Sequence, residues 1–234
     1  MDDRPQSQCL HTVERGSWSH QKGCQTMMEL TELQRDALTE MFNIGVGAAA
    51  DLLSQMVGEP VRLSVPLVEF TSESKAKAYY LEREQRPLCA IRQTYVGEVN
   101  TDALLMFPEE NSLELVRIMV GADLPVQTLT EMEQDAMAEI GNIILNAVIS
   151  SMATTLALKF EGALPQVSIL SAEDLFVSSD PAGPADEEGS LMALNIDFFL
   201  SARKVSGYLA FLLDLPSGTV MLQRIDAYIA QGAV

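Results

Sequence analysis

The chain has 234 residues, 47% of them hydrophobic, enough for one sizeable core or two small fused ones. Its formal net charge of −18 argues against nucleic acid as a partner, because a phosphate backbone repels an acidic surface. No apolar run approaches the roughly eighteen residues that span a bilayer and no signal-peptide pattern opens the chain, so a cytoplasmic protein without membrane insertion is expected.

Residues 1 to 27 differ from all that follows: they are polar, lack periodicity, and contain both histidines, Trp18, Cys9 and Cys24. Two of the three cysteines lie in this stretch, which does not make a secreted disulfide framework. Cys9, His11, His20 and Cys24 have zinc-ligand chemistry, but their spacing matches neither common zinc arrangement, so no metal site is expected. Met27 and Met28 would be natural starts, and the stretch reads as a disordered or non-native tail. The folded part is then 28–234, in two halves of about 28–122 and 126–230.

From Thr31 to about Val57 there is no proline, and Leu38, Met41, Gly45, Ala48, Leu52 and Met56 recur at three- and four-residue spacing. At roughly 100° per residue they form a stripe about 80° wide that would face a core. Thr31, with Gln34 three residues on, makes a capping box. Asp36, Glu40 and Asn43 lie within about 60° of one another on the opposite side. Val61 to Phe70 then reads as a strand with Pro66 within it or at its edge, and Leu88 to Val96 with Asp102 to Phe107 as an antiparallel pair turning at Gly97-Glu98-Val99-Asn100. Pro108 opens a helix to Val120.

The second half repeats this order. A helix from about Glu131 to Ala157, capped by Thr130 with Glu133, has Met137, Ile140, Ile144, Ala147, Ser151 and Thr155 as its inner stripe. A strand at Gln166 to Leu170 follows, then an acidic loop at 173 to 188 (Glu173, Asp174, Asp180, Asp186, Glu187, Glu188) that reads as solvated or, alternatively, as a docking segment. Strands at Leu191 to Leu200 and Val205 to Leu213 and a helix from Pro216 to about Ile229 complete the chain. Helices on one side of a mainly antiparallel sheet make an α+β fold. The repeat implies an internally duplicated, pseudo-two-fold body, and the short connection 123–125 favours fusion of the halves over tandem domains.

One pattern occurs twice. Asp36, Glu40 and Asn43 are followed by Pro66; Asp135, Glu139, Asn142 and Pro165 each lie 99 residues after their counterparts. Outward charges are what any solvated helix face shows, so the acids alone carry little. Asparagine is different, because mid-helix it is a poorer former than alanine by up to about 0.7 kcal/mol, and here it recurs at one helical position.

These residues resemble the signature of the CheC-type phosphatases of bacterial chemotaxis: Asp or Ser, three residues, Glu, two residues, Asn, twenty-two residues, Pro. Both copies match in full, and the strings Asn43 to Ala50 and Ser54 to Gly58 are similar to that family's first helix. The family comprises CheC, its single-site relative CheX and the switch phosphatase FliY, and two copies in a short chain point to the two-site CheC kind. The resemblance implies a substrate, the phospho-aspartate of a CheY-like receiver domain. It also implies that Glu40 and Glu139 dock a lysine of the regulator and that Asn43 and Asn142 orient the attacking water. Asp36, Asp135, Pro66 and Pro165 would have supporting roles. No cofactor is expected on this chain; Mg²⁺ would be carried by the regulator. A CheD-like deamidase is an expected partner by resemblance only, and a monomer is expected. The alternatives are a non-catalytic adaptor that binds a phosphorylated regulator or such a deamidase, and a plain acidic oligomerisation module. Docking alone would not require a water-orienting amide, which favours the phosphatase.

Overall fold

Thr31 starts the first long helix as its sequence predicts, its hydroxyl accepting from the Gln34 amide (3.2 Å) while the Gln34 side chain accepts from the Thr31 amide (2.9 Å). The computed structural model describes residues 30–120, 131–175, 190–200 and 203–232. The tail with Cys9, His11, His20 and Cys24, the connection 123–125, Thr130 and residues 176–188 of the acidic stretch lie outside them.

In chain order the elements are α1 (Glu32–Val57), β1 (Val61–Ser72), α2 (Glu73–Arg83), β2 (Leu88–Gly97), β3 (Thr101–Pro108), α3 (Glu109–Val120), α4 (Glu131–Thr155), β4 (Phe160–Gly162), β5 (Gln166–Leu170), β6 (Ser190–Leu200), β7 (Arg203–Leu213) and α5 (Leu215–Ala230). The strands form one seven-stranded antiparallel sheet, ordered β1-β6-β7-β3-β2-β4, with β5 also paired to β2. Strands of the two halves therefore interleave. The path from β1 to β5 is unchanged when β1 and β5, β2 and β6, and β3 and β7 are exchanged.

Alternation along the strands decides the two faces of the sheet. Cys89, Ile91, Ala103, Leu105, Phe107, Leu209 and Phe211 point to the face that α1, α4 and α5 cover. Phe42 of α1 stacks on Phe211 with ring centroids 5.8 Å apart, and Phe107 meets Phe198 edge-on at 5.0 Å. Leu88, Ala90, Leu104, Met106 and Ala210 point the other way, onto Tyr80, Ala172 and Leu175. That second face carries α2, so the helices are not confined to one side as the sequence reading has it. The α2 segment, with its Lys75 and Lys77 and few aliphatic residues, gives little apolar periodicity, and what anchors it is Tyr80, whose ring lies 5.2 Å from that of Tyr208.

The long helices pack against each other at Gly45. A Cβ there would lie 3.0 Å from Val148 Cα and 3.0 Å from Ser151 Cβ, and the Ser151 hydroxyl donates to the Met41 carbonyl at 2.9 Å. The inner stripe expected for α1 is correct for Leu38, Met41 and Gly45, but Ala48, Leu52 and Met56 are exposed. Burial passes instead to Val46, Ala49, Ala50 and Leu53. The buried positions recur every four residues, slightly more than one helical turn, so the face buried by α1 turns along its length. In α4, Met137, Ile140 and Ile144 are buried as expected, while Ala147, Ser151 and Thr155 are half-buried. Among the described residues α4 is the one helix long and apolar enough to cross a membrane; here its apolar side packs into the core through Met137, Ile140, Leu145, Val148 and Met152.

Candidate active site

Asp36 and Glu40 on α1, and Asp135 and Glu139 on α4, are exposed. None of these four carboxylates is ion-paired or hydrogen-bonded through its side chain to another of the described residues. Each is free to meet a cation brought by a partner. The asparagines differ from the acids in being half-buried, and they differ from each other.

Asn43 is held by backbone. Its Nδ2 donates to the Thr39 carbonyl (2.9 Å) and the Val65 carbonyl (3.3 Å), and its Oδ1 accepts from the Val65 amide (2.9 Å). The partner is a bulge: β1 pairs with β6 as Ser64↔Asp197 and then Leu67↔Asn195, so β1 carries one extra residue at Val65-Pro66. Pro66 has no N–H for the ladder and Val65 falls out of register. The Asn43 carboxamide, a donor and an acceptor side by side, replaces the missing strand partner. This gives the Asn-to-Pro spacing of the first copy a structural meaning.

Asn142 is held by side chains. Its Oδ1 accepts from Asn146 Nδ2 at 2.6 Å, and Asn146 Oδ1 accepts from the Tyr95 hydroxyl at 3.0 Å. Its own Nδ2 has no bond among the described residues. Pro165 comes just before β5 and the adjoining Leu164, counterpart of Val65, is 87% exposed. The second copy thus has no equivalent clamp. The structure joins Asn43 to the bulge at Pro66, but it gives Asn142 and Pro165 no contact of that kind.

No family model matches the chain. In sequence it is 26% identical over 148 residues to FliY of Bacillus subtilis (strain 168), named a flagellar motor switch phosphatase, across 62% of this chain and 38% of FliY. It is 24% identical over 143 residues to CheC of the same organism, named a CheY-P phosphatase, across 60% of this chain and 68% of CheC. The crystal structure of Thermotoga maritima FliY superposes with a TM-score of 0.69 at 19% identity, over 86% of this chain and 100% of that one. In sequence the chain is similar to CheC and FliY, and in fold to FliY. The match spans well under half of the length of FliY, the larger relative. The FliM middle domain from H. pylori shares the fold alone, with a TM-score of 0.62 at 7% identity over 83% of this chain.

The sequence reading misses Val65, Asn146 and Tyr95. Asn146 was findable, since it stands one helical turn after Asn142 and side chains at i and i+4 meet. Tyr95 was not, because it reaches α4 from β2, 51 residues away.

Proposed function

We propose that this protein is a phosphatase acting on the phospho-aspartate of a CheY-like receiver domain in chemotaxis signalling. The observation that carries the reading is the pairing, on the exposed side of α4, of the unpaired carboxylate of Glu139 with the outward Nδ2 of Asn142 one turn away. An acyl phosphate is already activated, so catalysis needs little beyond placing water in line and holding charge still. Glu139 docks a lysine of the regulator. Asn142 holds the water, donating to its oxygen without titrating. Water oxygen bonds to phosphorus as the bond to the aspartyl oxygen breaks, releasing inorganic phosphate and the free aspartate. The Mg²⁺ that neutralises the phosphoryl oxygens arrives with the regulator as part of the substrate. Glu40 and Asn43 form the corresponding pair on α1. The names of the B. subtilis relatives support this reaction class. A cytoplasmic location and a CheD-like partner belong to the same reading.

A second reading is favoured at α1 by one observation: both ends of the Asn43 carboxamide are occupied by backbone. With the amide so engaged, the first helix docks a regulator without hydrolysing it. The test follows decay of a phosphorylated receiver domain with Mg²⁺ for wild type, Asn43→Ala, Asn142→Ala and the double variant. Acceleration by wild type that disappears in the double variant while binding persists is the expected result. Binding without acceleration overturns the phosphatase in favour of the adaptor, and the single variants show which helix works.

A further inference from the structure

Asn142 does not choose its own orientation. Tyr95 is buried, 2% exposed, and its hydroxyl makes one bond among the described residues, to Asn146 Oδ1 at 3.0 Å. An amide can be turned over, so the direction of this chain of bonds needs a reason. Turning both amides would direct Asn146 Nδ2 at the phenol oxygen and leave the phenol proton without an acceptor, which is costly in a buried site. Burial also raises the tyrosine pKa above its ordinary value, so the phenol keeps that proton to donate. Asn146 therefore presents Oδ1 to Tyr95 and Nδ2 to Asn142, and Asn142 turns Oδ1 to Asn146 and leaves its Nδ2 open to solvent. Each bond in such a chain polarises the next, which sharpens the outward N–H as a donor.

The tyrosine is itself held in place. Its ring meets Phe160 of β4 edge-on, centroids 6.4 Å apart, and Gly162 of β4 passes so close that a Cβ there would lie 2.9 Å from its Cε1. The first copy has nothing of the sort: the counterpart of Asn146 is Gly47, where an added Cβ would meet no atom within 4 Å.

We propose that Tyr95 and Asn146 are positioning residues that fix the Asn142 carboxamide with its N–H side toward solvent, making it a one-way donor to the water it holds. The kinetic consequence rests on the phosphatase reading; the orientation itself does not. In a full chain carrying Glu40→Ala, so that α4 alone is read, Tyr95→Phe removes the first donor. Asn146→Asp keeps size but accepts from both sides, so Asn142 must turn its N–H inward. Both variants are expected to lower kcat about 5- to 10-fold, leave KM within about 2-fold, and add nothing on an Asn142→Ala background. A loss confined to KM, or one that persists undiminished on that background, overturns the proposal. Side-chain ¹⁵N NMR reads the orientation without activity: the Asn142 NH₂ signals are expected to move in both variants, most in Asn146→Asp. Unmoved signals overturn the relay even where wild type is an active phosphatase. Moved signals with an inactive wild type sustain the relay and overturn the phosphatase reading instead. Asn146 is exposed, so Asn146→Asp serves alone if Tyr95→Phe does not fold.

Discussion

Asn43 and Asn142 occupy one position of a repeated pattern, yet their carboxamides are engaged differently. Asn43 makes three bonds to backbone and supplies both polar groups of the buried Val65 with a partner. Replacing it by alanine leaves that N–H unsatisfied, at a cost of about 2 kcal/mol, or roughly 4–8 °C in Tm for a chain of this size. Asn142→Ala removes a surface contact and is expected to cost no more than about 0.5 kcal/mol. Thermal melts of the two variants decide this, and equal losses would refute the clamp. The pattern itself was legible, since asparagine at the same helical position twice is hard to attribute to propensity. What each amide binds was not, because Val65 and Tyr95 reach the helices only through the sheet.

At the scale of elements, the α1–α4 crossing depends on Gly45, which is in contact with α4, while Gly47 on the same helix stands in the open. Gly45→Ala forces its methyl against Val148 Cα and Ser151 Cβ at 3.0 Å, so the helices must separate and stability falls by about 1–3 kcal/mol. Gly47→Ala meets nothing and gains helix propensity, raising stability by about 0.5–1 kcal/mol. Denaturant midpoints of the pair test the crossing, and a shared sign would contradict it. The helices, the hairpins and the cap at Thr31 were readable because local pattern and burial agree there. The reading failed at α2, which Tyr80 holds on the far side of the sheet, and at Ala48, Leu52 and Met56. Those three continue the apolar period of α1 but lie where its buried face has turned away.

Across the whole molecule, burial sets an alkaline limit. The Cys89 thiol is pushed up by burial to about 11 from an ordinary 9.0, partly offset by its bond with Ser112, and burial raises Tyr80 and Tyr95 above their ordinary 10.0. The unfolded chain releases these protons first. Their contribution to stability is complete below pH 9.0, is lost for Cys89 as pH rises to about 11, and keeps falling above 10.0 through the tyrosines. Unfolding midpoints are expected to hold level from about pH 8 to about pH 9 and to fall from there to about pH 11, with a shallower slope for Tyr95→Phe; a profile flat throughout would place these groups in water. The same core shows where sequence ends and tertiary structure begins. The sequence by itself determined the repeat, the α+β class, the exposed acids and the family resemblance, because these rest on period, composition and spacing along one chain. Only the tertiary structure decided that strands of the two halves interleave, that a bulge occupies one asparagine, and that a buried tyrosine turns the other outward. Those outcomes depend on contacts between residues far apart in the chain, and no local period records them.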